Sequence, residues 1–218
     1  TGTSVEYLLD TIIKDEFEER VLLKRVTYKD GVLSGLYQYF HPNGQTMVRE
    51  NYKLGTENGL HEVFYENGQL QETGNFINGY EEGLWKRYSD NGQLNETINY
   101  KLGLKNGLHE DFYGDFVYIR ENYKNGELDG LYEKFYRYSS QVKSRRNYKK
   151  GTEDGLQEDF FDNGQLQEKR NIENEELVLF QTFDQEGKTL YDLTYKDGKK
   201  TGVEMRFFVN GQLQTRKN

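Results

Sequence analysis

The chain has 218 residues, a formal net charge of -8 and a hydrophobic content of only 34%, which is poor for one closed core of this size. Its aromatic content of 15% suits strands that are half buried. The negative charge disfavours nucleic acid and anionic lipid, which reward Lys and Arg surfaces, so we expect neither a nucleic acid nor a membrane partner but a basic protein.

Cysteine is absent, which excludes disulfides and thiolate metal sites. No apolar run approaches the ~20 residues that span a bilayer. The sequence begins at Thr1 without a basic signal segment, and we expect a cytoplasmic protein slightly more than a secreted one whose export signal has been removed.

The first segment carries an apolar stripe, and Thr3 with Glu6 forms a capping box in front of it. Six apolar residues follow the spacing of three and four that is typical of one helix face: Val5, Leu8, Leu9, Ile12, Ile13 and Phe17. Residues 1–19 are therefore predicted to form a short amphipathic helix. Because an open repeat array needs a cap over its apolar end, we expect this helix to cover the first hairpins; the alternative is a tail that docks on another chain.

One short unit then recurs through residues 20–218. It opens on a Gly that starts a Gly-Leu-x-x-x-Phe/Tyr segment, and the successive steps up to Gly155 are 23 to 25 residues. The leading glycines are Gly35, Gly59, Gly83, Gly107, Gly130, Gly155 and Gly202. Asn-Gly-Gln-Leu follows four of them. This period predicts an array of about eight repeats of ~24 residues, in which each unit contacts mainly its neighbours.

Each repeat is predicted to be a β-hairpin, because residues 59–82 read as strand, tight Asn-Gly turn, strand and looser turn. Pro42 occupies the second turn position before Asn43 and Gly44, which suits a type I turn followed by a left-handed Gly and not a type I′ turn. The predicted fold class is all-β: an elongated, open antiparallel meander of repeated hairpins.

The bulged turn sets the expected register. It places Phe64 opposite Leu70 and Glu62 opposite Glu72. In this register Leu60, Phe64, Leu70 and Phe76 share one apolar face, because the side chains of a strand alternate between its two faces. Leu and Phe or Tyr columns at the same positions of the other repeats are therefore predicted to form the core.

The repeat as a whole resembles a known family. Phe/Tyr-Tyr-x-Asn-Gly-Gln-Leu, followed by Asn-Tyr-Lys-x-Gly and Gly-Leu-x, is similar to the bacterial MORN-variant repeat, the unit of proteins often classed as YwqK-like antitoxins. The resemblance covers residues 20–218. It implies an elongated hairpin array used for protein–protein contacts, without enzymatic activity. Eukaryotic relatives have been linked to membrane phospholipids, a property that the acidic balance of this chain argues against.

Two neighbouring repeats depart from the consensus at the Asn-Gly turn, which becomes Gly-Asp in residues 112–118 and Ser-Ser in residues 135–141. These departures gather aromatic residues that are predicted to bind a partner: Tyr113, Phe116, Tyr118, Tyr136 and Tyr138. Lys143, Arg145 and Arg146 follow. Aromatic and Arg residues are enriched in binding hot spots, and the alternative is drift in a tolerant hairpin tip. A third departure, at residues 172–178, is interpreted as drift.

A second candidate partner surface is acidic. In the predicted register one face carries a column of carboxylates interrupted by Lys86: Glu62, Glu72, Glu96, Glu110, Glu133, Glu158 and Glu168. Like charges opposite one another repel modestly, so the column is either solvated or kept for a cationic partner.

Catalytic and metal sites are not predicted. His61 and His109 lie two repeats apart, hence ~20 Å by strand spacing, and His41 has no Cys or His partner nearby. Paired carboxylates such as Glu81 and Glu82 lie in turns, without an apolar pocket that could shift a pKa. We therefore predict no enzymatic activity, no cofactor and no metal.

These features predict a non-enzymatic protein-binding module that is monomeric by itself. Within that class, an acidic bacterial or phage inhibitor or antitoxin that neutralises a basic toxin or nuclease fits the charge best. The alternative is a secreted or surface-displayed adhesion module that binds host protein or glycan through exposed tyrosines.

Overall fold

The computed structural model describes residues 2–14, 17–208 and 210–217, and these residues form 21 β-strands and no helix. The strands are β1 (Thr3–Lys14), β2 (Phe17–Lys29), β3 (Val32–Phe40), β4 (Thr46–Lys53), β5 (Thr56–Glu57), β6 (Gly59–Phe64), β7 (Leu70–Ile77), β8 (Tyr80–Tyr88), β9 (Leu94–Lys101), β10 (Leu104–Tyr113), β11 (Phe116–Lys124), β12 (Glu127–Leu128), β13 (Gly130–Phe135), β14 (Val142–Lys149), β15 (Thr152–Glu153), β16 (Gly155–Phe160), β17 (Leu166–Glu173), β18 (Glu176–Phe183), β19 (Thr189–Lys196), β20 (Lys199–Phe207) and β21 (Leu213–Lys217). Within these residues no helix is long and apolar enough to cross a membrane. The prediction of an all-β protein is confirmed.

The chain divides into two compact units, residues 1–107 and 108–218. In the first unit the long strands pair antiparallel in the order β1-β2-β3-β4-β6-β7-β8-β9. In the second the order is β11-β13-β14-β16-β17-β18-β19-β20-β21. The predicted meander of hairpins is therefore confirmed in each unit, and the assignment of residues 20–218 to a single array stays a prediction.

The predicted helix over residues 1–19 is wrong. β1 and β2 instead form a long antiparallel hairpin, in which Thr3 pairs with Lys29 and Lys14 pairs with Phe17; residues 1, 15 and 16 lie outside the described residues. The apolar spacing of this segment fits a strand as well as a helix, because β-branched, aromatic and other apolar residues also occupy alternate positions from Thr3 onward. Pairing with β2 decides in favour of the strand, so a hairpin takes the place of the expected cap.

The turn at the Asn-Gly motif has the predicted geometry. The Tyr65 N–H donates to the Gln69 carbonyl and the Gly68 N–H donates to the Tyr65 carbonyl, each at 2.9 Å. Gly68 has a φ of 82°, so a type I turn is followed by a left-handed Gly. Asn67 is suited to this turn because its Oδ1 accepts from the Gln69 N–H at 2.9 Å, while its Nδ2 donates to the Asp90 carbonyl of the next turn at 2.7 Å.

The second turn of the repeat is tighter than predicted. Ile77 pairs with Tyr80, which leaves only Asn78 and Gly79 in the loop, with φ of 52° and 82°. Two positive φ values in a two-residue loop define a type I′ turn, whose twist matches that of the strands. The same combination recurs at the equivalent turns of the other repeats.

A bulge beyond the Asn-Gly turn changes the register of the hairpin. Phe64 pairs with Leu70, as predicted, but Val63 then pairs with Glu72 and leaves Gln71 as an extra residue. A shift of one residue exchanges the two faces of a strand relative to its partner. Equivalent shifts occur in other Asn-Gly hairpins of both units and in the hairpin with the Ser-Ser turn.

Two parts of the predicted face assignment are therefore wrong. Glu62 pairs with Thr73 and not with Glu72. Leu60 and Phe76, which were expected to share a face, lie on opposite faces, and Leu60 is 42% exposed. The Leu column that the sequence assigned to the core is largely at the surface.

The core of the first unit is built instead on the residue that follows Gly-Leu. This position holds Tyr37, His61 and Trp85, and Val26 and Ile98 pair directly with the first and last of them. Val26, Trp85 and Ile98 are almost fully buried, and the His61 and Trp85 ring centroids are 5.3 Å apart. We call this line of side chains the central row. Trp85, the only Trp of the chain, is a residue that the sequence could have assigned to the core. The predicted register placed the core on the other face of these strands, so the central row was missed.

Trp85 packs directly over Gly74 of the neighbouring strand. A β-carbon at Gly74 would stand 2.1 Å from the indole ring, and Gly74 is not among the glycines with positive φ. Glycine is therefore required here for space and not for backbone conformation. Phe76 and Tyr100 enclose the same indole edge-on, with ring centroids 5.1 and 6.0 Å away.

The central row of the second unit is more polar. It contains Tyr132, Arg146, Gln157, Arg170, Phe180 and Leu193. Gln157 is 1% exposed, yet its Oε1 accepts from the Asn147 N–H and its Nε2 donates to the Asn147 carbonyl, each at 3.0 Å. Because both ends of the amide are hydrogen-bonded, its burial carries no penalty for unsatisfied polar groups.

Candidate functional site

The tyrosines predicted to bind a partner meet at two neighbouring turns of the second unit. The Tyr113 and Tyr138 ring centroids are 5.0 Å apart in an edge-to-face arrangement, and the Tyr138 hydroxyl donates to the Tyr113 hydroxyl at 3.3 Å. Tyr138 is 67% exposed and Tyr113 is 39% exposed. Large exposed aromatic rings on a rigid sheet are the residue type that most often anchors a protein interface.

The turn that carries Tyr138 is one residue longer than the Asn-Gly turn. The Tyr136 N–H donates to the Gln141 carbonyl at 3.0 Å, and the Gln141 N–H donates to the Ser139 hydroxyl at 3.0 Å. Tyr138 has a φ of 58°, in the left-handed region that favours Gly and Asn. An L-residue there costs roughly 1–2 kcal/mol, so this turn exposes an aromatic ring at the expense of stability.

Cationic side chains lie over the tyrosine rings. The Arg137 guanidinium carbon is 5.1 Å from the Tyr113 ring centroid and 5.7 Å from that of Tyr118, and the Lys134 Nζ is 5.3 Å from the Tyr118 centroid. A hydrogen bond from Lys134 to the phenol lowers the pKa of Tyr118 below its ordinary value. The two cations therefore converge on one hydroxyl, which acts as an acceptor.

Two further members of the predicted set flank this centre. The Tyr136 hydroxyl donates to the Phe160 carbonyl at 2.8 Å, and the Lys143 Nζ is 5.6 Å from the Tyr136 ring centroid. Phe116 is 37% exposed and lines a separate hollow with Arg120. We refer to seven of these residues as the aromatic–cationic cluster: Tyr113, Tyr118, Lys134, Tyr136, Arg137, Tyr138 and Lys143.

The predicted acidic column does not form one column. Arg87 lies between Glu72 and Glu96 on neighbouring strands and forms an ion pair with each. Glu62 lies on the opposite face and pairs with Arg49 at 2.9 Å. Such partly exposed pairs contribute only about 0.2–1 kcal/mol each to stability, but they neutralise the carboxylates.

Arginines neutralise the acidic residues of the second unit as well. Glu133 is 7% exposed and accepts from Arg145 at 2.9 Å and from Arg120 at 3.4 Å, and Arg120 also donates to Glu110 at 2.8 Å. Glu158 lies directly opposite Arg145 in the strand register.

Six of the seven predicted glutamates thus have an Arg within ion-pair distance: Glu62, Glu72, Glu96, Glu110, Glu133 and Glu168. Any cationic partner that approached them would compete with an arginine of this chain. Their part in partner binding stays a prediction.

Sequence reasoning missed a charged network around His61. The His61 Nδ1 is 3.3 Å from a Glu50 oxygen, and its Nε2 is 3.7 Å from a Glu72 oxygen. Burial lowers the pKa of His61, but the two neighbouring carboxylates outweigh it and raise the pKa to about 9. The imidazole is therefore protonated at pH 7. The cross-strand register that joins these three residues could not be read before the bulge was known.

A group of ligand-type atoms in the first unit lies close enough together to hold a cation. Ligand atoms of Glu50, Glu57 and His61 lie within 4.8 Å of one another. The Tyr52 hydroxyl already donates to Glu50 at 3.0 Å and to Glu57 at 3.3 Å, and a protonated imidazole has no lone pair to offer a metal. At neutral pH the group is therefore an ion-pair network.

The fold and the exposed turns define a repeat protein of antiparallel β-hairpins, with a shared central row and variable tips. Four segments match the MORN repeat variant family, at residues 33–54, 57–78, 81–102 and 153–174. The predicted resemblance to the MORN-variant repeat is confirmed for these segments, whereas the antitoxin class and the bacterial origin stay predictions. MORN repeats are commonly protein-interaction modules, which is consistent with a non-enzymatic binding role. Comparison with curated proteins gives no match. The aromatic–cationic cluster lies between the matched segments, where the repeats diverge.

Proposed function

We propose that this chain is a non-enzymatic protein-binding module that acts as an inhibitor or antitoxin against a basic toxin or nuclease. The repeat family supports the binding role. The net charge of -8 supports a basic partner, because long-range attraction between opposite charges raises the rate of encounter.

The observation that carries the proposal is the acidic turn between β17 and β18. Glu173 pairs directly with Glu176 across this turn, and Glu175 has a φ of 67° where the other type I′ turns have Gly. Like charges directly opposite repel, and a left-handed Glu is strained, so the turn destabilises the fold. A cationic surface that bound here would relieve the repulsion. The sequence alone attributed this departure to drift.

The proposal is tested on a partner captured by cross-linking from the source cell and then purified. We expect a basic protein whose activity is inhibited by an equimolar amount of the chain, with an association rate that falls as salt rises. Charge reversal by Glu175→Lys and Glu176→Lys should slow association several-fold. Glu66→Lys and Asp90→Lys make the same charge change at exposed turns of the first unit and serve as the control.

An acidic partner, or one whose activity is unaffected by the chain, contradicts the proposed function. Equal slowing by the two pairs of substitutions would show that net charge matters but that the turn between β17 and β18 is not the contact.

A further inference from the structure

Positive charge is concentrated in one short part of this acidic chain. Residues 131–150 contain seven Lys or Arg residues and one acidic residue, Glu133. The remainder of the chain is therefore more acidic than the net charge of -8 suggests. A positively charged patch on an otherwise acidic protein attracts anionic groups, whereas the rest of the surface attracts cationic ones.

Three of these cations are paired with carboxylates of this chain, and three others lie over tyrosine rings without a carboxylate of the described residues beside them. Arg145 pairs with Glu133 at 2.9 Å, and Arg146 pairs with Asp159 at 2.6 Å; Lys149 lies 3.7 Å from a carboxylate oxygen. By contrast, Lys134, Arg137 and Lys143 have no carboxylate within 4.0 Å among the residues that the structure describes, and all three lie over tyrosine rings. Their positive charge is available to a ligand.

These three cations surround a common hollow. The hollow has a volume of about 470 Å³ and is lined by Tyr118, Lys134, Phe135, Tyr136, Arg137 and Lys143. Its walls are aromatic and its polar groups are hydrogen-bond donors, apart from the tyrosine hydroxyls. A carboxylate placed here would meet a guanidinium fork and two ammonium groups while its carbon stem packs against rings.

The neighbouring turn supplies a second, independent sign of a binding surface. Tyr138 is held exposed at a strained positive φ beside Tyr113, and the Tyr113 ring lies under Arg137, which lines the hollow. Strained residues persist where the surrounding structure over-determines them, and they cluster at ligand-binding sites.

We propose that the aromatic–cationic cluster binds an acidic segment of a partner protein, with Asp or Glu carboxylates between Lys134, Arg137 and Lys143 and the segment's backbone against the exposed tyrosines. The inference goes beyond the proposed function, because it concerns a different surface of opposite charge. An acidic peptide fits better than nucleic acid, since a long polyanion would extend from this small basic area over acidic surface and be repelled.

The test uses fluorescence anisotropy with the whole chain and a short labelled peptide of alternating Glu and Gly, beside a matched peptide of Gln and Gly. The acidic peptide should bind, and the amide peptide should not. Arg137→Gln and Lys134→Gln should each weaken binding about tenfold, the loss of roughly one charge-assisted contact. Lys124→Gln removes the same charge at the other end of β11 and should leave binding unchanged.

Three results would overturn the proposal. The first is binding that responds equally to Lys124→Gln and to Arg137→Gln, since that reports only net charge. The second is tighter binding of single-stranded DNA or of anionic vesicles than of the acidic peptide. The third is self-association of the chain that Arg137→Gln abolishes while the peptide does not bind, which would assign the cluster to a second copy. Circular dichroism of each variant confirms that it is folded. The peptide measurements do not depend on whether the chain inhibits a basic partner. The proposed inhibitor function and the proposed acidic-segment site can therefore be refuted independently.

Discussion

Gly74→Ala is expected to destabilise the first unit by about 3 kcal/mol, a large effect for a single methyl group. The new β-carbon would stand 2.1 Å from the Trp85 ring, whereas an ordinary contact is 3.4–4 Å. The indole would have to move by well over 1 Å, and His61, Phe76 and Tyr100 close the directions in which it could do so. The upper limit is the loss of the buried indole itself, about 3–5 kcal/mol.

The measurement is urea unfolding followed by tryptophan fluorescence, because Trp85 is the only Trp and reports on its own surroundings. A single local probe is useful here, since a repeat protein need not unfold in one step. Gly2→Ala is the control, because a β-carbon there meets nothing within 4 Å.

A double-mutant cycle isolates the proposed cause. In a Trp85→Val background the added methyl should cost little, so the two substitutions should be strongly non-additive. Additive costs, or a Gly74→Ala variant as stable as the wild type, would refute the argument that Gly74 is kept for the indole.

Three further outcomes are expected. His61→Gln should flatten the pH dependence of the free energy of unfolding between about pH 6.5 and 9. A His whose pKa is raised on folding contributes stability that is fully present below its pKa in the unfolded chain and is lost as the pH rises through about 9. A wild-type free energy of unfolding that does not decline in this range would contradict the raised pKa of His61. Glu133→Ala should lower the free energy of unfolding of the second unit by about 2 kcal/mol, because two arginines lose their shared buried acceptor; an unchanged denaturation midpoint would show that water replaces it. Tyr138→Gly should raise stability by roughly 0.5–1 kcal/mol by removing the left-handed strain, and a loss of stability would mean that ring packing against Tyr113 dominates.

The parts of the fold that depend on neighbouring residues could be predicted from the sequence. The repeat length, the hairpins and the geometry of the Asn-Gly turn follow from Gly, Pro and Asn preferences that act over a few residues. The bulge at Gln71 could not be predicted, because nothing at that residue distinguishes it from an ordinary strand position. Since one extra residue exchanges the faces, this local error moved the core from the central row to the Leu column. The N-terminal error has a different cause, because Val5 and Leu9 fit both periods and only pairing with β2 separates them.

The candidate site shows the same division. The tyrosines were found because the turns next to Tyr113 and Tyr138 depart from the regular Asn-Gly turn, which is visible in a single sequence. The cations over their rings, such as Lys134, come from strands whose register had to be known first. The neutralisation of the acidic residues was missed for that reason as well: Arg87 meets two carboxylates only because β7, β8 and β9 pair as they do.

The central row also bears on how an array of nearly identical hairpins avoids misalignment. If the hairpins were fully alike, a chain could pair one whole repeat out of place with little loss of energy, because every turn and every ladder would still form. Gly74 shares its repeat position with Glu50 and Ile98, its counterparts in the preceding and following repeats. A displaced pairing would set Trp85 on a Glu or an Ile side chain instead of the open backbone of Gly74. Because the residues of the central row differ from repeat to repeat, a pairing displaced by one repeat has a higher free energy than the native pairing.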